Sequence, residues 1–195
     1  MPHFFEGLNP VDLCWLIFVA LWLVSALFVK KSVSRRPNSS IIFRIALMII
    51  IISLIKLGKS SWSRFVLPSG SSFHASSTLT IIASILTVLG LLGAIWSRIK
   101  LGTNWSGYVT YKEGHELVTT GPYRFVRHPI YTSMIMMFIG TALFYQSLPI
   151  AFFLAVIATF LILRMKREEE IMTKLFGKEY ADYVRTTKKI VPFIY

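Results

Sequence analysis

The feature that most limits what this chain can fold into is the length of its unbroken apolar runs. Val11 to Val29 carries one charge, Asp12, near its start. Ile41 to Leu57, Thr78 to Trp96 and Ile130 to Leu163 follow. A helix needs about 20 apolar residues to cross a bilayer core, with somewhat shorter spans tolerated. The last run is long enough for two crossings. Only helices and closed barrels satisfy the backbone in lipid, and these runs are continuous rather than alternating, so helices are expected. A soluble domain would interleave its apolar residues with polar surface; here 54% of the residues are hydrophobic and they come in blocks. The expected fold is all-α, an integral membrane bundle of about five transmembrane helices.

The net charge of +12 would suggest nucleic acid in a soluble protein. Its distribution argues for topology instead. Lys30, Lys31, Arg35 and Arg36 follow the first run. Arg98, Lys100, Lys112, Arg124 and Arg127 lie between the third and fourth spans, and eight more, from Arg164 to Lys189, follow the fifth. These make up 17 of the 21 Lys and Arg residues. With five crossings all of them fall on one side, and only Lys59 and Arg64 lie in opposite loops. Positive charge marks the cytoplasmic side. The N-terminus is therefore expected outside and the C-terminus in the cytoplasm, the basic side touching anionic lipid. No nucleic-acid partner is expected, because no basic and aromatic reading surface is apparent. The lone Cys14 excludes an intrachain disulfide and suits a packing role. No cleavable signal peptide is expected, since the N-terminus lacks a basic region and a small-x-small site.

The two halves differ in what they carry. Residues 1–97 form a three-span scaffold with few polar groups beyond Ser and Thr. Residues 98–195 hold the chemistry. Ser97 to His128 reads as a long loop containing several glycines, and loops of that length are often functional. Pro129 suits the first turn of the next helix. Ser147 and Pro149 suit the start of the one after, so spans four and five make a tight hairpin. The fifth helix is expected to run on through charged helix formers to Phe176, with Gly177 as its stop. Lys178 to Arg185 can make one short helix more, with Tyr180 and Tyr183 on one face.

Two clusters can do chemistry at the inner membrane surface. One is Gly121 to Tyr131, preceded by His115-Glu116-Leu117-Val118. The other is Arg164 with Glu168, one helical turn apart. Plain readings exist for both: Arg124, Arg127 and His128 as lipid anchors with Tyr131 in the interfacial belt, and Arg164–Glu168 as an exposed ion pair. Two histidines 13 residues apart without cysteine are a weak metal signal, so no metal is expected. No nucleophile elbow or dinucleotide fingerprint is present.

Taken in order, these residues resemble the isoprenylcysteine carboxyl methyltransferase family, part of a wider group that includes phospholipid methyltransferases. The marks are His115 to Val118, Tyr123, His128-Pro129-Ile130-Tyr131, the Arg164–Glu168 pair, Phe176-Gly177 and the two C-terminal tyrosines. They cover the chain from Gly102 on, about half of it. The size matches a small prokaryotic member, in which case the membrane is the cell membrane. The resemblance implies S-adenosylmethionine as methyl donor, with S-adenosylhomocysteine as product, in a C-terminal cytosolic pocket. It implies cofactor contacts from His115, Glu116, Leu117, Val118, Tyr123, His128, Pro129, Ile130, Tyr131 and Glu168, with Arg164 facing the acceptor. Arg164 and Glu168 are then the catalytic pair. Family members carry glutamine seven residues before the His115 equivalent, where this chain has Tyr108. The implied acceptor is lipid-linked: the carboxylate of an isoprenylated cysteine. Alternatives are the amine of a phosphatidylethanolamine-type phospholipid, and an NADPH-dependent sterol or enone reduction. A non-enzymatic scaffold would not place Arg, His and Glu at these spacings.

Overall fold

The structure, a computed structural model, describes residues 8–27, 76–104, 116–146 and 148–192. Five α-helices run through them: α1 (Pro10–Leu27), α2 (Ser77–Leu101), α3 (Pro129–Tyr145), α4 (Leu148–Phe176) and α5 (Lys178–Thr186). Short 3-10 turns occupy Gly102–Asn104 and Gly121–Arg124. The expected span over Ile41–Leu57 lies outside the described residues.

Each helix begins and ends where the local chemistry dictates. α1 starts on Pro10, and the Asn9 side chain accepts the Asp12 amide at 2.9 Å, satisfying a donor that the first turn leaves open. α2 overruns the expected loop by a turn, because Ser97 to Leu101 continue the helix. Arg98 and Lys100 in that last turn face the negative end of its dipole. α2 and α4 both stop at glycines in the left-handed region, Gly102 at φ 52° and Gly177 at φ 49°. α4 begins at Leu148, one residue before Pro149.

The packing is inverted relative to a water-soluble bundle. On α2 the buried positions are Ala83, Thr87, Gly90, Leu91, Ala94 and Ser97. The exposed ones include Ile81, Ile82, Ile85, Val88, Leu89 and Leu92. Small residues face in and let α3 approach closely. A Cβ on Gly90 would sit 2.8 Å from both Met137 Cγ and the Ser133 carbonyl oxygen. The hydroxyls that go inside are satisfied within their own helix, Thr87 on the Ala83 carbonyl at 2.9 Å and Ser97 on that of Gly93 at 2.6 Å. α1 adds Val11, Cys14, Trp15 and Phe18 to a core shared with Met134, Met137 and Phe138 of α3 and Leu154 and Leu161 of α4. Trp15 stacks on Phe138 at 5.3 Å and donates to Thr141 at 2.9 Å. Among the described residues, α2 alone is long and apolar enough by itself to cross a membrane; Pro10–Ser25 and Pro129–Tyr145 are shorter apolar helices.

The two ends of the bundle are chemically distinct. At one end Asn9, just before α1, and Asp12 of α1 meet Tyr145 at the end of α3, with Tyr145 donating to the Asp12 carboxylate. At the other end Arg98 of α2 donates to the Ser25 carbonyl of α1 at 3.2 Å. α1 and α2 thus end together and run parallel. The start of α3 and the charged half of α4 lie at this same end.

Candidate cofactor site at the helix ends

Four segments meet there. The Gly121–Arg124 turn leads through Phe125, Val126 and Arg127 to His128, whose extended φ of −122° suits a residue that precedes proline. α3 then brings Tyr131 one turn in. α4 changes from apolar to charged after Leu163. Its buried Leu161 and Met165 set the inner face, so Arg164, Glu168 and Glu169 lie on the inward side of the charged half. The fourth segment is the tail after α5. Val126 and Lys188 form a parallel backbone bridge, with the Arg127 amide on the Lys188 carbonyl at 2.8 Å and the His128 amide on that of Lys189 at 3.1 Å. Thr132 Oγ1 adds a bond to the Ile190 carbonyl at 2.7 Å.

The side chains form two adjoining groups. Glu168 Oε1 accepts from the Tyr131 hydroxyl at 2.6 Å and from Arg164 Nε at 3.0 Å. Its Oε2 lies 3.9 Å from His128 Nδ1, beyond hydrogen-bond length. Glu169 Oε1 takes Arg127 Nε at 3.0 Å and contacts His128 Nε2 at 3.2 Å; its Oε2 takes Lys189 Nζ at 2.6 Å. Arg127 Nη1 also donates to the Thr187 carbonyl. His128 therefore stands between two carboxylates. Arg164 and Glu168 are 28% and 23% exposed, which makes them a half-buried pair rather than a solvated one.

Electrostatics follow from these contacts. Burial alone would raise the Glu169 carboxyl, but the bonds from His128, Lys189 and Arg127 outweigh it and hold the group at about 2. Burial pushes the Tyr183 phenol up to about 12, against the nearby Arg127. It stays protonated and donates to the Tyr123 carbonyl at 2.6 Å, tying α5 to the 3-10 turn. Burial also raises Tyr123, whose hydroxyl points at the Ser97 carbonyl 3.5 Å away.

Of the residues expected from sequence, Tyr131, His128, Arg164 and Glu168 come together. Pro129 is buried and Ile130 half-buried at the start of α3. Tyr123 is buried beneath the end of α2. Glu116 is exposed and Leu117 and Val118 half-buried in the segment leading to the turn. His115 and Tyr108 lie outside the described residues. Glu169, Arg127 and Lys189 were not expected as a group. The run Glu168-Glu169-Glu170 shows three equal acids, and only the helical phase set by Leu161 and Met165 separates the inward pair from exposed Glu170.

Fold and site together define a class: an all-helical, mostly apolar bundle with a paired-carboxylate ionic site where its helices end. The sequence profile of the phospholipid methyltransferase family matches residues 78–179, which include α2, α3, α4 and the whole ionic cluster except Lys189. The chain belongs to that family. Among curated relatives, it is 28% identical to the nickel-cobalt-cadmium resistance protein NccN of Alcaligenes xylosoxydans xylosoxydans, over 77% of this chain and 63% of that protein. It is 32% identical to the protein-S-isoprenylcysteine O-methyltransferase of Saccharomyces cerevisiae, over 62% of this chain and 52% of that one. The chain thus spans less than two thirds of either relative. A solved structure of a eukaryotic intramembrane Ras methyltransferase, isoprenylcysteine carboxyl methyltransferase, superposes with a TM-score of 0.65 at 22% identity, over 95% of this chain and 68% of that one. At that identity the likeness speaks for the fold.

Proposed function

We propose that this protein is a membrane-embedded methyltransferase that takes its methyl group from S-adenosylmethionine and gives it to a lipid-linked acceptor, the carboxylate of an isoprenylated cysteine. The observation that carries this reading is the half-buried Tyr131–Glu168–Arg164 group, set where α4 passes from apolar to charged. The family and the O-methyltransferase relatives support the reaction class. The outward Ile, Leu and Val side chains of α2 support embedding in lipid.

The residues present fit the cofactor. Glu168 spends Oε1 on Tyr131 and Arg164, and its Oε2 takes no hydrogen bond among the described residues. A half-buried carboxylate oxygen with spare acceptor capacity suits the ammonium, ribose or adenine donors of S-adenosylmethionine. Tyr131 and His128 flank it, with ring centroids 5.7 Å apart. When bound, the cofactor supplies an electrophilic methyl on a sulfonium. The chain has then to orient the acceptor and exclude water. A prenylcysteine carboxylate, with a pKa near about 3.5, is already ionised at neutral pH and requires no base. Arg164 is suited to hold it, because a planar guanidinium is a two-pronged donor for carboxylates. A prenyl tail can lie along the apolar part of α4 while the cofactor approaches from water.

Calorimetry in detergent tests the donor: S-adenosylhomocysteine should bind, and NADPH binding alone would overturn the reading in favour of a reductase. Methyl transfer to a farnesylcysteine analogue, compared with phosphatidylethanolamine vesicles, tests the acceptor. Transfer to the vesicles only would assign an amine acceptor.

A further inference from the structure

His128 is the side chain that joins the two carboxylate groups, and its two ring nitrogens face different oxygens. Among the described residues, Arg127, Arg164 and Lys189 are in contact with the acids Glu168 and Glu169. A neutral imidazole donates from one nitrogen and accepts at the other. Nε2 lies 3.2 Å from Glu169 Oε1, and Nδ1 lies 3.9 Å from Glu168 Oε2. The shorter contact needs a proton between its heavy atoms, since a lone pair facing a carboxylate oxygen at that range is repulsive. The hydrogen bond at one ring nitrogen decides the state of the other.

We propose that Glu169, anchored by Lys189 and Arg127, is a positioning residue that takes the Nε2–H of His128 and so leaves Nδ1 as a bare acceptor facing Glu168 Oε2. The two acceptors then form a slot for a group that donates two hydrogen bonds, such as a primary ammonium or a vicinal diol. They sit too far apart to bond each other, and two lone-pair atoms facing one another attract a donor between them. That the donor belongs to S-adenosylmethionine rests on the function proposed above; the tautomer does not.

The tail after α5 is part of this device. Lys189 reaches Glu169 Oε2 at 2.6 Å, and its own carbonyl holds the His128 amide. Arg127 sits between, on Glu169 by Nε and on the Thr187 carbonyl by Nη1. The ring is thereby held from both its backbone and its far nitrogen by the same short stretch of tail. Second-layer carboxylates of this kind orient histidines elsewhere, in metal sites above all.

The test uses the full chain in detergent with 15N-labelled histidine. Long-range 1H–15N correlation at neutral pH reports the tautomer, and the His128 signal is identified by its loss in His128→Ala. The expected wild-type pattern, without any ligand, is neutral with the proton on Nε2. A proton on Nδ1, or an imidazolium pattern, overturns the proposal. In Lys189→Met the ring should show mixed tautomers and S-adenosylhomocysteine should bind roughly tenfold more weakly, the scale of one lost positioning contact. Lys189→Arg should restore both. Glu169→Gln should behave as Lys189→Met or worse; if it fails to fold, the lysine pair still decides. Weaker binding in Lys189→Met with the tautomer unchanged would make the tail a merely structural brace and overturn the positioning role. If wild type shows the Nε2–H tautomer but binds no S-adenosylhomocysteine, the proposed function fails and the tautomer assignment stands.

Discussion

Arg164 and Glu168 share one hydrogen bond, yet the proposed chemistry gives them separable roles. Arg164→Ala should abolish turnover of a prenylcysteine analogue while S-adenosylhomocysteine affinity stays nearly intact. Glu168→Ala should weaken cofactor binding itself by about tenfold to a hundredfold, the equivalent of roughly 1.5–3 kcal/mol for a hydrogen bond to a charged group. Arg164→Lys keeps charge but loses the planar fork, so turnover should fall there too. Titration followed by methyl-transfer assays checks all three; small and equal effects would reduce the pair to an ordinary ion pair worth about 0–1 kcal/mol. Glu169 predicts a pH dependence of stability. Its carboxyl is lowered from 4.5 to about 2 in the folded state. A depressed folded value means stability that is fully present above the unfolded value and is lost as pH falls through the folded one. The stabilisation, on the order of 3 kcal/mol, should therefore fade between about pH 4.5 and 2. Thermal midpoints of wild type and Glu169→Gln should be well apart at pH 5 and converge on acidification; a constant gap would contradict this. The Arg164–Glu168 pair was legible in the sequence because i,i+4 spacing fixes a shared helix face. Glu169 with Lys189 was not, because twenty positions and a helix reversal separate them and only the folded tail joins them.

At the scale of helices, apolar length and glycine punctuation gave α1, α3, α4 and α5 close to their observed limits, since capping and stopping are local effects. Two features were hidden. α2 extends past its apolar run because basic residues in a final turn are as helical as aliphatic ones. The bridge between Val126 and Lys188 uses backbone groups alone, which leave no side-chain pattern to read. The α2–α3 contact offers a sharper prediction than its burial would. A Cβ on Gly90 meets the Ser133 carbonyl oxygen at 2.8 Å and the Met137 nitrogen at 3.0 Å, atoms of backbone that cannot step aside. A Cβ on Gly93 meets mainly the Ser133 hydroxyl oxygen at 2.6 Å, with Ser133 Cβ at a comfortable 3.6 Å. Gly90→Ala should thus destabilise by about 1–3 kcal/mol, as overpacking does, partly offset by alanine's better helix propensity of about 1 kcal/mol. Gly93→Ala should cost less, and Ser133→Ala added to it should remove the cost. Thermal unfolding in detergent measures all four proteins. Equal losses for Gly90→Ala and Gly93→Ala, or no rescue by Ser133→Ala, would show that the helices do not approach as described.

For the molecule as a whole, the question is which way round it sits. Arg98 reaches the Ser25 carbonyl, so the ends of α1 and α2 meet and the two helices run parallel. The apolar run Ile41–Leu57, expected from sequence as a span, lies between them in the chain, outside the described residues. α3 starts at the end where α2 stops, α4 returns to it, and the ionic cluster and tail lie beyond. Among the described residues, Arg98, Arg127, Arg164 and Lys189 lie at this end; the five-span reading assigns 17 of the 21 Lys and Arg residues to one side. The opposite end has Asp12, Asn9 and Tyr145 bonded to one another among the described residues. Positive charge stays on the cytoplasmic side, so the N-terminus should face out and the cofactor site should face the cytoplasm, where S-adenosylmethionine is made. With Cys14 replaced by alanine, a cysteine introduced at Ser71 should react with an impermeant maleimide in intact cells. One introduced at Lys174, on the exposed flank of α4's charged half and outside the ionic cluster, should react only after the membrane is opened. Labelling of Lys174→Cys in intact cells with Ser71→Cys protected would invert the molecule. Labelling of both would place an even number of crossings between the two positions and leave one arm of the Ile130–Leu163 hairpin, or α2, out of the membrane. That outcome would contradict the exposed aliphatic face of α2, which water would have to cover at about 25 cal/mol for each Å² of apolar surface. Protection of both would likewise require an even number of crossings between the two positions and would contradict the outside loop and the three crossings between them together.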